Sequence, residues 1–127
     1  MKLKKSPLAP EKFPSLPYVK GLKIGTSKSN IRYKNRQDIL TVTFDNLASV
    51  AGVFTLSQIP AAPVNFCKKN LINGYAKGLV VNAGIANSFT GKKGINNNRK
   101  IANYFSKLIN ARQKDCLLYT SDAADED

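Results

Sequence analysis

Few residue types in this chain could carry chemistry, because it contains no histidine. A Ser-His-Asp triad, a histidine-activated thiolate and a histidine-bound metal are therefore excluded. Before residue 116 there is one cysteine, Cys67, and the four carboxylates are widely spaced. This pattern predicts no metal site, and a lone cysteine is typical of a small buried hydrophobic residue. Any chemistry must use hydroxyls, amides, lysines or backbone groups, or residues outside this chain.

The segment LVVNAGIANSFTGKKG, residues 79–94, is the strongest candidate for a functional site. It begins as an apolar strand, changes at once to small polar residues and leads into a helix. Ligands bind at such strand ends in many α/β proteins. Gly84 permits close approach or positive φ, and Asn82 and Asn87 can brace the turn by side-chain to backbone hydrogen bonds. The alternative is that both asparagines only shape a loop. The spacing is not that of a P-loop.

The elements that must position this segment can be predicted from the apolar pattern. Prolines make residues 1–20 extended and irregular. Alternating or continuous apolar residues predict four strands, at 21–33, 39–44, 49–55 and 77–81. The first three are expected to form an antiparallel meander. Two amphipathic helices are predicted. The first, at about 63–74, has a proline in its first turn. The second, at about 93–111, has a frayed start at Asn96–Asn98.

The C-terminal residues 116–127, CLLYTSDAADED, differ in composition from the preceding chain. They hold four of the eight acidic residues and none of the 20 lysines and arginines. The sequence resembles the translation of a transposon-end adaptor used in sequencing libraries, and we interpret it as adaptor read-through rather than native chain. The alternative is a natural acidic tail. Our interpretation predicts that residues 116–127 pack against nothing and that the native protein continues beyond Asp115.

The chain is strongly basic, with a net charge of +12, which bears on whether its partner is a nucleic acid. Such a charge favours association with nucleic acid. However, the lysines are scattered and no RNA-binding or helix-turn-helix signature is recognisable. We keep a small basic nucleic-acid-binding protein as an alternative but expect no nucleic-acid partner. No apolar run approaches the ~18 residues of a membrane span. The N-terminus lacks the apolar stretch of a secretory signal, so we expect no membrane association and a cytoplasmic location.

Three motifs together resemble one family. AGVFT at 51–55, AAPV at 61–64 and VVNAGIANSFTGKKG at 80–94 follow the order and about the spacing of the ornithine acetyltransferase / glutamate N-acetyltransferase family of arginine biosynthesis. The resemblance covers roughly residues 6 to 112. Leu56-Ser57 replaces the usual Thr-Asn of the family. Ile85 stands where the family commonly has asparagine, which argues against a direct substrate role for this position.

This resemblance implies an enzyme with an N-terminal nucleophile. In such an enzyme the precursor cleaves itself before a threonine, whose freed amine acts as base for its own hydroxyl. The threonine carries acetyl from N-acetylornithine to glutamate, and a Thr-Gly pair stabilises the oxyanion. In family order both lie downstream of the helix ending near Ala111, and Thr90-Gly91 is not that pair. The chain is therefore expected to be inactive alone and to hold no catalytic residue, with Asn82, Gly84 and Asn87 supporting the active site.

The resemblance also implies a fold and an assembly. The fold class is α/β (α+β): a partial sandwich of mostly antiparallel strands with helices packed on one face, the N-terminal piece of an αββα fold. Its domains are an extended Pro-rich N-terminus at 1–20, a truncated acetyltransferase domain at 21–115 and the tail at 116–127. The implied partner is the missing C-terminal (β) chain of the same precursor, in a hetero-tetramer of two α and two β chains. No bound cofactor is expected, and acetyl-CoA is an acetyl donor if the full enzyme is bifunctional. A second alternative is a fragment of a related self-cleaving aminopeptidase, which hydrolyses where this family transfers.

Overall fold

The computed structural model describes residues 7–30, 34–83, 87–88 and 90–121. Within these ranges the chain forms four strands and two helices. In order they are β1 (Leu22–Ser27), β2 (Ile39–Ser49), α1 (Ala62–Asn70), β3 (Tyr75–Ala83), α2 (Gly91–Leu108) and β4 (Cys116–Ser121). Short 3-10 turns at Leu71–Asn73 and Gln113–Asp115 follow the two helices.

The four strands form one sheet in the order β1-β2-β3-β4. β1 pairs antiparallel with β2, and β2 pairs antiparallel with β3. β4 pairs in parallel with β3, and α2 makes the crossover between them. A mixed α/β fold with mostly antiparallel strands is therefore confirmed.

The expectation of a strand at 49–55, and with it a meander of the first three predicted strands, is wrong. β2 continues through Ser49 with a register shift between Thr43 and Ala48, and the chain then leaves the sheet. The Val50 N–H donates to the Gly74 carbonyl at 2.8 Å, where the chain enters β3. The place beside β2 that a meander would give to 49–55 is occupied by β3, which offers a longer apolar strand for pairing.

Both helices form close to where the sequence predicts them. In α1, Pro63 lies in the first turn, where its missing N–H costs nothing. The turn after α1 ends at Gly74, whose φ of 69° is left-handed and favours glycine. α2 packs Phe105 against the backbone of β3 at Gly78, where an added Cβ would lie 2.9 Å from the ring. Gly78 therefore sets how closely α2 can approach the sheet.

The prediction that residues 116–127 pack against nothing is wrong for 116–121. These residues form β4, in which Leu117 and Leu118 are 8% and 4% exposed. The stretch CLLYT is apolar and suited to a strand, a signal hidden by averaging it with the acidic residues that follow. Residues 122–127 lie outside the described ranges. The interpretation of the segment as adaptor sequence concerns its origin and stays a prediction.

The core lies where α1, β3 and β4 meet. Cys67, Ala76 and Leu117 form a buried cluster, and Leu71 and Leu79 pack against it. The prediction that Cys67 is a small buried residue is confirmed. Among the described residues, none of the helices combines the length and the apolar character needed to cross a membrane.

Candidate functional site

A cavity of about 390 Å³ lies beside the first turns of α2, near the ends of β3 and β4. The strand register places Ile39, Asn82 and Thr120 side by side on three neighbouring strands. Residues two apart on a strand share a face, so Val80 and Leu118 form the next row of the same wall. α2 and the segment before it supply the opposite wall, with Asn87, Thr90, Asn97, Asn98 and Ile101.

Asn87 fixes the junction between this cavity and α2. Its Nδ2 donates to the Gly94 carbonyl at 3.0 Å and to the Asn98 Oδ1 at 2.8 Å. Its Oδ1 accepts a short hydrogen bond from the Thr90 hydroxyl. One amide side chain thus joins the loop before α2 to two successive turns of the helix. These bonds also explain why Asn98 lies inside α2 rather than at the frayed start that was expected.

Gly94 makes this arrangement sterically feasible, and sequence reasoning missed it. A Cβ added there would overlap the Thr90 Oγ1 and the Asn87 Oδ1. Gly94 is buried inside α2, where glycine is a poor helix former. The signal that could have identified it is this conflict, since a helical glycine often marks a close packing contact.

Of the three predicted supporting residues, two border the cavity and one lies outside the described ranges. Asn82 and Asn87 both border the cavity, Asn82 from β3 and Asn87 from the segment before α2. Gly84 lies outside the described residues. Thr120 also borders the cavity, and sequence reasoning missed it because β4 was not expected. Their role in supporting catalysis stays a prediction.

Asn98 carries the one buried side-chain polar atom, within the part of the chain that the structure describes, that lacks a hydrogen-bond partner. Its residue is only 2% exposed, and its Nδ2 is unpaired while its Oδ1 accepts from Asn87. An unpaired buried donor costs about 1–3 kcal/mol. Sequence reasoning treated Asn98 only as a weak helix former and so missed this atom.

The cavity can hold a ligand by hydrogen bonds but offers no base for proton transfer. Its described lining consists of amides, two threonine hydroxyls and aliphatic side chains, with no carboxylate, lysine or cysteine. The two cysteines lie elsewhere and are free thiols. Burial raises the pKa of the Cys67 thiol, and it raises that of Cys116 to about 11, with the nearby Asp115 charge adding to the rise. Neither is an activated nucleophile at neutral pH.

Metal ligation finds no support in the described ranges, where no three histidine, cysteine, aspartate or glutamate side chains come together. The polar groups that border the cavity are amides and hydroxyls. Such groups orient substrate oxygens and nitrogens rather than replace the water shell of a transition metal.

Two of the sequence motifs meet at Asn87, which borders this cavity. The Ala62 N–H, in AAPV, donates to the Asn87 carbonyl, in VVNAGIANSFTGKKG, at 3.2 Å. Ala62 begins α1, so the bond ties the first turn of α1 to the segment that leads into α2. The third motif, AGVFT, brings Phe54 against the core cluster below α1.

Comparison with known proteins places these motifs in one family. The ArgJ family model matches residues 23–121. The chain is 56% identical over 89 residues to the arginine biosynthesis bifunctional protein ArgJ of Mesorhizobium japonicum, covering 70% of this chain and 22% of that protein. It is 46% identical over 113 residues to the ArgJ protein of Rhizobium meliloti, covering 89% and 27%. The chain thus spans about a quarter of the length of these relatives.

Solved structures show the same fold. The ArgJ protein of Bacillus halodurans superposes with a TM-score of 0.77 at 23% identity, covering 84% of this chain and 56% of that one. The ornithine acetyltransferase of Mycobacterium tuberculosis, complexed with ornithine, gives 0.72 at 22% identity and covers 84% and 58%. The sheet and helices of this chain therefore share the fold of these ArgJ structures. With the family model matching most of its length, this chain belongs to the ArgJ family.

Proposed function

We propose that this chain is the N-terminal part of an acetyltransferase of arginine biosynthesis, which moves acetyl from N-acetylornithine to glutamate. The observation that carries the proposal is the hydrogen bond between the Ala62 N–H and the Asn87 carbonyl. It joins two family motifs beside the first cavity, which Asn87 borders, although Ala62 and Asn87 lie 25 positions apart in the sequence. A cavity lined by amides and hydroxyls suits a substrate that carries an acetamide group.

The cavity lacks a base beside its hydroxyls, and this determines which catalytic groups we assign to the remaining chain. An acetyl-threonine intermediate needs a nucleophilic hydroxyl next to a base. The described lining holds the hydroxyls of Thr90 and Thr120 but no base beside them. We therefore assign the nucleophilic threonine, released by self-cleavage, and the Thr-Gly oxyanion pair to the remaining chain. This chain contributes the floor of the site, with Asn82, Gly84 and Asn87 as supporting residues.

The proposed complete enzyme is a cytoplasmic hetero-tetramer of two α and two β chains that binds no resident cofactor. Its substrates are N-acetylornithine and glutamate, and acetyl-CoA serves as a further donor if the enzyme is bifunctional. Acetyl transfer exchanges one acyl bond for another without a change of oxidation state, so it needs no redox group. Differential stabilisation of the oxyanion supplies the catalysis.

A chimeric enzyme tests this proposal. Residues 23–115 of this chain replace the matching segment of the Mesorhizobium japonicum ArgJ protein, and acetyl transfer from N-acetylornithine to glutamate is measured. We expect self-cleavage and transfer in the chimera but none with the 127-residue chain alone. The control is the same chimera with its predicted nucleophilic threonine changed to alanine. A chimera that folds and self-cleaves but hydrolyses peptide amides without acetyl transfer would favour the aminopeptidase alternative.

A further inference from the structure

A second cavity, of about 340 Å³, lies between α1, α2 and the turn before β4. Three cationic side chains border it, Lys69 from α1, Arg99 from α2 and Lys114 from the turn. No carboxylate belongs to its described lining. We propose that this cavity binds a small phosphate-type oxyanion, separately from the acetyl-transfer site.

The positive charge of the cavity is not neutralised by the described residues. Lys69, Arg99 and Lys114 make no ion pair within those ranges. The carboxylate nearest in sequence, Asp115, is already held by Arg112, with distances of 2.6 Å from Nε to Oδ2 and 3.1 Å from Nη2 to Oδ1. A two-bond pair of this kind satisfies the carboxylate. Three like charges therefore share one cavity, and an anion there would relieve their repulsion.

The walls of the cavity are fixed by hydrogen bonds. The Asn70 Nδ2 donates to the Gln113 carbonyl at 3.3 Å and to the Cys116 carbonyl at 2.9 Å. The Gln113 Nε2 donates to the Arg99 carbonyl at 2.9 Å. These bonds tie α1 to the turn and the turn to α2. A site with walls held in advance loses less freedom when a ligand binds.

Asn98 lies between the two cavities and carries an unpaired neutral donor. On α2, Ile95 and Arg99 border this second cavity, and Asn97 and Ile101 border the first. Asn98 lies between these two stripes and borders both cavities. Its Oδ1 is occupied by Asn87 of the first cavity, and its Nδ2 is buried without a partner among the described residues. An oxyanion in the second cavity that reaches this donor would provide the missing acceptor.

The charge of the cavity favours a phosphate group over a monocarboxylate. A volume of about 340 Å³ is too small for a nucleic-acid strand, whose recognition needs an extended basic surface. Three cations and an amide donor match the charge and the several acceptor oxygens of a phosphate. A monocarboxylate offers one charge and two oxygens, and it leaves part of this set unpaired.

The test is an NMR titration of the 127-residue chain with inorganic phosphate at pH 8, with ionic strength held constant by sodium chloride. We expect saturable shifts centred on the Asn98 side-chain amide and the Arg99 backbone. Lys69→Ala and Lys114→Ala should each weaken phosphate binding by about 3-fold, because exposed charges contribute modestly. Lys107→Ala is the matched control, since Lys107 is an exposed cation of α2 that borders neither cavity, and it should change binding less than 2-fold.

Asn98→Asp is the sharper variant. It keeps an acceptor for Asn87 in nearly the same shape, removes the donor and adds a negative charge. We expect phosphate affinity to fall at least about 10-fold, since a like charge directly opposes the anion. Shifts that rise linearly without saturating, or an equal loss in Lys107→Ala, would overturn the proposal. Equal binding of acetate and phosphate would contradict the phosphate assignment. The exposed lysine variants keep the test decisive if Asn98→Asp does not fold.

Discussion

The thiol of Cys67 makes two hydrogen bonds to the backbone of Leu118: it donates to the carbonyl at 2.9 Å and accepts from the N–H at 3.3 Å. Leu118 lies on β4, the last strand of the sheet, so these groups face away from β3. Asn70, one turn further along α1, donates to the Cys116 carbonyl of the same edge. α1 thereby covers a strand edge that would otherwise be open to pairing with another chain.

Cys67→Ala should destabilise the chain by about 2 kcal/mol. The change removes the thiol that bonds to both the N–H and the carbonyl of Leu118, and it leaves these two groups buried without a bond. Urea unfolding monitored by circular dichroism measures the loss. Val53→Ala is the control, because Val53 is 99% exposed and its truncation should change stability by less than about 0.5 kcal/mol. Equal stability of the two variants would show that the thiol contacts contribute nothing.

Stability should fall in alkali partly through Cys116. Burial raises the pKa of its thiol to about 11 in the folded chain, above that of an exposed thiol. The folded state then keeps a proton that the unfolded state releases, so stability is fully present below about pH 8.5 and is lost as pH rises toward 11.

Cys116→Ser isolates this contribution from those of all other groups in the chain. The stability difference between the original chain and Cys116→Ser should be constant from pH 6 to 8. It should then shrink by up to about 1 kcal/mol per pH unit. A difference that stays constant to pH 11 would contradict the raised pKa.

Gly94→Ala should destabilise α2 although alanine is the better helix former. The added methyl overlaps the Thr90 hydroxyl and the Asn87 amide, so Asn87 must leave its place between the turns of α2. We expect the steric overlap to lower the free energy of unfolding by about 1–3 kcal/mol. The higher helix propensity of alanine would offset about 1 kcal/mol of this loss. Asn96→Ala, exposed on the same helix, should instead be neutral or slightly stabilising. If Gly94→Ala raises the urea midpoint as Asn96→Ala does, the packing argument is wrong.

Asn87→Ala should weaken both the chain and the proposed enzyme. It removes the donors to the Gly94 carbonyl and the Asn98 Oδ1 and should cost about 2 kcal/mol of stability. In the chimera, formation of the acetyl-enzyme should fall, because a shift of ~1 Å in a supporting element can cost about 10²-fold in rate. Ser88→Ala is the exposed control. Unchanged acetyl-enzyme formation in a folded Asn87→Ala chimera would reduce the motif to a connecting loop.

The sequence predicted the elements whose apolar pattern is continuous. β2, β3 and both helices follow such patterns. The segment from Leu79 to Gly94 begins in a strand and ends in a helix, as predicted. The strand expected at 49–55 did not form, because its apolar residues are used for packing: Val50 and Phe54 contact the core cluster instead of pairing in the sheet. Apolar content alone does not distinguish these two uses.

The cavities depend on contacts that a single sequence does not reveal. Asn87 and Asn98 are 11 positions apart, and their hydrogen bond depends on the angle at which the chain enters α2. Lys69, Arg99 and Lys114 look like scattered charges in the sequence, and they meet only because α1, α2 and the turn before β4 converge. Thr120 was not predicted for another reason, since residues 116–127 are acidic on average and this composition is untypical of a strand.

The contact between Cys67 and Leu118 also dictates an order of assembly during synthesis. The two residues are 51 positions apart, so α1 emerges from the ribosome long before the strand whose edge it covers. β1 and β2 are close in sequence and can pair early, whereas α1 cannot complete its packing until residue 118 has been made. Closing such a distant contact is slow, and the waiting chain exposes apolar surface to its neighbours. Translation of the last strand is thus the step at which the nascent chain gains its protected edge.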